Sequence, residues 1–103
     1  MNVISYESTV QNVKYRSRMD IAAAILDIAY DGAIKTNIMY RAFLSFPQLR
    51  EYLDLLMDGG LLEHDSETNE YHTTEKGKRF TKMYQEVDAM IPRENMLTKI
   101  THK

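Results

Sequence analysis

Between Ser45 and Glu51 the chain reads SFPQLRE, and two of these side chains can recognise a base pair by its edge. Arg50 carries parallel donors that match the two acceptors of guanine, and Gln48 carries a donor and an acceptor that match adenine. Ser45 and Glu51 share the segment. Just upstream, Lys35, Thr36, Tyr40 and Arg41 form a second polar group. A lysine, a hydroxyl and the N–H groups of a helix start are phosphate ligands. Basic residues also cluster at Lys14, Arg16 and Arg18 and again at Lys76, Lys78, Arg79 and Lys82, positions suited to flanking a duplex. The chemistry open to these residues is recognition of double-stranded DNA, with base edges met by 45–51 and the backbone by the rest.

Covalent chemistry finds less support. The four glycines punctuate turns instead of forming a phosphate loop, and no Ser/His/Asp set has a supporting context. With no cysteine there is no thiolate nucleophile and no Cys-based zinc cluster, and a reducing cytoplasm is the expected compartment. His64 and His72 would face each other across a hairpin, with Glu63 or Glu70 beside them, but two histidines on a two-stranded ribbon are ordinarily surface residues. The expectation is a non-enzyme without cofactor or metal.

Charge sets a harder condition. Fifteen acidic residues against thirteen basic leave a net charge of −2, whereas phosphate neutralisation supplies much of the affinity of a free-standing DNA binder. The argument therefore turns on where the charges lie. Glu63, Asp65, Glu67 and Glu70 crowd a segment with no basic residue between Leu61 and Thr74, and would repel a phosphate backbone. Glu51 and Asp54 also oppose tight nonspecific binding.

A chain of 103 residues accommodates one domain with one core. Its N-terminus lacks the order of a signal peptide, and no apolar run approaches the ~20 residues that span a bilayer, so a soluble protein without membrane contact is expected. From Met19 to Tyr30, Met19, Ile21, Ala22, Ile25, Leu26, Ile28 and Ala29 form a broad stripe at helical spacing, stopped by Asp31-Gly32. Thr36 reads as the N-cap of a short second helix in which Ile38, Met39, Ala42 and Phe43 face inward, ending near Leu44. Ser45 or Phe46, before Pro47, opens a third helix with Leu49, Tyr52, Leu53 and Leu56 inward and Gln48, Arg50, Glu51 and Asp54 outward. Asp58-Gly59-Gly60 ends it. Leu61–His64 and Tyr71–Thr73 then flank a polar tip as a β-hairpin, and Thr73 or Thr74 caps a last helix. On that helix Phe80, Met83, Tyr84, Val87, Met90 and Ile91 make an apolar stripe running to Pro92, longer than so small a core can cover. Residues from Tyr84 onward are expected to be exposed and to pair with a second copy. In the tails, Val3, Ile4, Tyr6, Val10 and Val13 suit packing on a partner, and Met96, Leu97 and Ile100 suit a continuation of the last helix.

Helix, helix, helix, hairpin, helix is the order of a winged helix-turn-helix, and particular residues sharpen the comparison. Lys35–Tyr40 (KTNIMY), Leu44–Phe46 (LSF), Tyr52-Leu53, Gly60-Leu61 and the set Tyr71, Thr74, Gly77 together resemble the archaeal winged-helix regulator family over about residues 16–90. The resemblance implies a mainly α fold with a small β-hairpin: an extension at 1–15, a winged helix-turn-helix domain at 16–76, and a C-terminal helix and tail at 77–103 that forms an antiparallel coiled coil in a homodimer. It implies a nucleoid-associated DNA-binding regulator whose third helix enters the major groove. The acidic hairpin departs from a DNA-touching wing, and leaves open an interaction module of the same fold that binds a protein partner through the wing.

Overall fold

The computed structural model describes residues 16–91. The basic Lys14, the apolar residues of the N-terminal extension, and Met96, Leu97 and Ile100 lie outside the described residues.

Ser17 opens helix α1 (Arg18–Ile28) through a capping box: its hydroxyl accepts from Asp20 N–H at 3.1 Å, and the Asp20 carboxylate accepts from Ser17 N–H at 3.1 Å. Ile21, Ala23, Ile25 and Leu26 form the buried face of α1. Met19, expected in that stripe, is exposed, because at the first turn it overhangs a groove bordered by Tyr52, Leu55 and Phe80. Strand β1 (Ala33–Ile34) follows, and helix α2 (Lys35–Arg41) starts directly from it. Thr36 is consequently not the N-cap. Pairing of Ala33 and Ile34 with Tyr71 and Glu70 holds the chain extended up to Ile34, which takes the cap position without any side-chain bond.

Helices α2 and α3 (Phe46–Asp58) end in the same way with different residues. After α3, the Gly60 N–H donates to Met57 O and the Leu61 N–H to Leu56 O, with Gly60 at φ +76°. After α2, the Phe43 N–H donates to Tyr40 O and the Leu44 N–H to Met39 O, with Phe43 at φ +56°. Both are Schellman closures, in which the residue after the cap adopts the left-handed conformation that glycine enters freely and other residues only at a cost of about 1–2 kcal/mol. Phe43 was expected to face inward; the left-handed turn instead sends its ring into solvent, 82% exposed.

The hairpin of β2 (Leu62–Asp65) and β3 (Glu70–Thr73) belongs to a three-stranded antiparallel sheet of order β1-β3-β2. The expected two-stranded wing therefore carries an additional strand against its inner edge. In the register, Glu63 stands opposite His72 and His64 opposite Tyr71. Directly opposed residues share a face and successive ones alternate, so the two histidines fall on opposite faces of the ribbon and do not meet. Thr74 caps helix α4 (Glu75–Asp88) by accepting from Gly77 N–H at 3.1 Å.

Ile25, Leu26, Ile38 and Leu49 are fully buried, and Ile21, Ala29, Ala33, Ala42, Leu44, Leu53, Leu56, Leu62 and Tyr71 complete the core between α1, α2, α3 and the sheet. Phe80 of α4 packs against it. Thr73 closes one edge: its buried hydroxyl donates to Leu26 O at 2.7 Å near the end of α1, where the Tyr30 N–H turns to Asp27 O instead.

Candidate nucleic-acid interface

The outward side of α3 starts at a second capping box. Gln48 N–H donates to the Ser45 hydroxyl at 3.3 Å, while Gln48 Oε1 accepts from Ser45 N–H at 3.0 Å and from the Ser45 hydroxyl at 3.2 Å. Phe46 and Pro47 follow at the first two helical positions, where the missing N–H of proline costs no helix bond. Leu49, Leu53 and Leu56 are buried, so helical spacing leaves Gln48, Arg50, Glu51 and Asp54 exposed. Two of the four residues expected to read bases thus serve first to start the helix.

Phe46, which sequence reasoning did not single out, organises this end of the molecule. Its ring is half-exposed, and both Lys35 Nζ from the start of α2 and Arg50 from the next turn of α3 lie 5.9 Å from its centroid. That distance is at the outer reach of a cation–π interaction. A residue expected to contact phosphate and one expected to read guanine are brought to one aromatic ring. Thr36, Tyr40 and Arg41 are exposed on α2.

The other cations are more committed. Arg16 Nη2 donates to Phe43 O at 3.2 Å, tying the chain before α1 to the turn between α2 and α3. Lys76 Nζ donates to Gly59 O at 2.8 Å, which places it beyond the C-terminus of α3, about 15 Å along the helix from Arg50. Lys78 sits 4.8 Å from the Tyr30 ring centroid and 3.9 Å from Glu75. Arg79 and Lys82 line a groove between α1 and α4 that also holds Asp27, Asp31 and Glu75, so carboxylates offset the cations there. Arg18 borders the groove that runs beside Tyr52 and Leu55 of α3.

The wing is acidic and tightly closed. Asn69 N–H donates to Asp65 O at 2.7 Å, and Glu67 N–H donates to the Asp65 carboxylate at 2.9 Å, which holds that carboxyl below its ordinary pKa. Asn69 adopts φ +64°, a left-handed conformation asparagine tolerates, and its side chain meets His64 Nε2 at 3.0 Å. Glu70 pairs with His72 at 3.1 Å. Burial, and then the nearby Asp54 carboxylate, raise the Tyr71 hydroxyl above its usual range.

On α4 the apolar stripe divides differently from expectation. Tyr84, expected exposed, turns back onto α1 and donates its hydroxyl to Asp20. Met83, expected to be covered, is 61% exposed and lies one turn before Val87 on the same face, which is 62% exposed, as expected. The helix ends at Asp88, so Met90 and Ile91 lie in the turn that follows, both exposed. Among the described residues no helix is long and apolar enough to cross a membrane.

Helix α3 set beside the shorter α2, with a closed hairpin after it, defines a class, and comparison with known proteins agrees. Residues 15–92 match the winged helix-turn-helix family model, and the chain belongs to that family. It is 32% identical over 83 residues to an uncharacterised protein of Methanocaldococcus jannaschii, an alignment covering 78% of this chain and 84% of that one. It is also similar to the crystal structure of Sso10a-2, a DNA-binding protein from Sulfolobus solfataricus, with a TM-score of 0.69 and 28% identity over 84% of this chain and 92% of the other.

Proposed function

We propose that the protein is a homodimeric transcriptional regulator that binds double-stranded DNA through α3. The observation that carries this reading is the meeting of Lys35 and Arg50 around the exposed Phe46 at the start of α3, the part of a helix-turn-helix that reaches base edges. The similarity to Sso10a-2 supports the same ligand. Gln48, Arg50, Glu51 and Ser45 face the groove in this reading, Lys35, Thr36, Tyr40 and Arg41 meet phosphates, and the cations at Arg16, Arg18, Lys76, Lys78 and Arg79 lie nearer the flanks. Met83, Val87, Met90 and Ile91 supply the surface on which two copies pair. Titration of a fluorescent duplex of random sequence at two salt concentrations tests the ligand. Binding should weaken steeply with salt, each phosphate contact adding about 0.9 to the logarithmic slope. Absence of binding at low salt would reject it.

The acidic wing favours a second reading, an interaction module that binds a protein partner through Glu63, Asp65, Glu67 and Glu70. Replacing Glu67 and Glu70 with lysine separates the two. If the wing lies near a phosphate backbone, repulsion becomes attraction and nonspecific DNA binding strengthens; if it is the docking surface, a protein complex is lost and DNA binding is unmoved.

A further inference from the structure

Phe46 is 51% exposed on a helix whose apolar positions Leu49, Leu53 and Leu56 are buried, and neither core packing nor phosphate contact accounts for it. Its neighbours narrow what it can meet. The Gln48 amide oxygen is taken by the Ser45 N–H and hydroxyl, so while the capping box stands Gln48 cannot present the donor–acceptor pair that adenine recognition needs. On this face of the first turns there remain an apolar ring and, one turn further on, the Arg50 guanidinium. The major groove offers one apolar group at base edges, the C5-methyl of thymine. We infer that Phe46 is a specificity-determining residue that packs on a thymine methyl while Arg50 addresses a neighbouring guanine. The inference rests on the DNA-binding reading above. Residues four apart on a helix are separated by about 6 Å along its axis. Base pairs rise about 3.4 Å, so the thymine and the guanine fall within about two base pairs of each other.

The test uses the full chain. Duplexes are selected from a random pool, and each thymine of the selected sequence is replaced singly by deoxyuridine, which removes the methyl and nothing else. One thymine per half-site, close to a guanine, should weaken binding roughly fourfold on replacement, the worth of one buried methyl group. Phe46→Ala should bind the thymine and uracil forms equally, and Phe46→Leu, which keeps an apolar group in place, should retain part of the discrimination and serves if the alanine variant does not fold. Selected duplexes that tolerate uracil at every position, or a thymine preference undiminished in both variants, would overturn the role of Phe46 while leaving duplex binding intact. Binding without enrichment of any sequence would likewise overturn the role of Phe46, whereas failure to bind the pool at all at low salt would remove the DNA-binding reading, and this inference with it.

Discussion

Gly77 lies in the first turn of α4, buried, with helical backbone angles that any residue can adopt. Helix propensity alone makes Gly77→Ala stabilising by about 1 kcal/mol. The structure gives the opposite sign. A Cβ built at Gly77 would stand 2.6 Å from Thr73 Cγ2 and closer still to the carbonyl oxygen of Leu61. The second neighbour decides the outcome, because a backbone oxygen at the entrance of β2 has no rotamer with which to withdraw. Relief requires α4 to move away from the sheet, loosening Phe80 from the core. Overpacking of this kind costs about 1–3 kcal/mol and sometimes more. With a rigid obstacle the upper part of that range applies, about 2–3 kcal/mol, and the net loss after the propensity gain is about 1–2 kcal/mol. For a domain whose whole stability is on the order of 5–15 kcal/mol this is a large fraction. Urea unfolding followed by circular dichroism should show the midpoint falling by about 1 M. Gly59→Ala is the control: its nearest neighbour would be Leu55 O at 3.4 Å, an ordinary contact, and its stability should stay within about 0.5 kcal/mol of the parent. An unchanged or higher midpoint for Gly77→Ala would refute the close approach of α4 to Leu61.

Thr73→Val keeps the shape of a buried side chain but removes the donor to Leu26 O, so thermal unfolding should report a loss of about 1–3 kcal/mol; an equal stability would mean that carbonyl is satisfied elsewhere. Val87→Glu together with Met90→Glu puts like charges into the exposed stripe of α4, and sedimentation should show a dimer becoming a monomer with much weaker DNA binding; a parent protein already monomeric at tens of micromolar would dismiss the pairing surface. Arg50→Ala should cost about 1–3 kcal/mol on specific DNA and relax one position, whereas Lys35→Ala should weaken all sequences alike. Identical losses on specific and random duplexes for both variants would rule out the base-reading role proposed for Arg50.

The helices were legible because their apolar spacing is strong: Ile21, Ile25 and Leu26 in α1, and Leu49, Leu53 and Leu56 in α3, are where the pattern puts them. β1 was not legible, since Ala33-Ile34 is two residues long and extended only because β3 offers it an edge. The misplaced N-cap at Thr36 follows from the same cause: a tertiary pairing, invisible in local sequence, fixes where α2 starts. The outward turn of Phe43 had no local warning either, because a phenylalanine stands where the closure of α3 uses glycine. At the candidate site the residue types were legible and their prior commitments less so. The engagement of Gln48 could have been read from the Ser-x-x-Gln spacing, which is a capping-box signature. The bonds of Arg16 to Phe43 O and of Lys76 to Gly59 O could not, because each joins segments far apart in the chain. Phe46 was overlooked because an apolar residue ahead of a proline reads as packing, and only its exposure between two cations marks it otherwise.

The junction around Gly59, Gly60 and Leu61 has a mechanical consequence. Lys76 reaches Gly59 O at 2.8 Å, the Thr74 hydroxyl reaches Gly60 O at 2.7 Å, and Thr74 N–H reaches Leu61 O at 3.0 Å, while Gly77 leaves no clearance against that same carbonyl. The end of α3 and the start of α4 are therefore fastened together at several points within a few residues. Tyr84 fastens α4 again, further along, to the carboxylate that starts α1. Two copies joined through α4 would act as a pair of fixed callipers: their jaws, the two α3 helices, could not open or close by flexing at this joint. Half-sites moved apart by one base pair, about 3.4 Å, would have to be met by twisting or bending the duplex. The protein would then discriminate among DNA sites by their stiffness as well as by their bases.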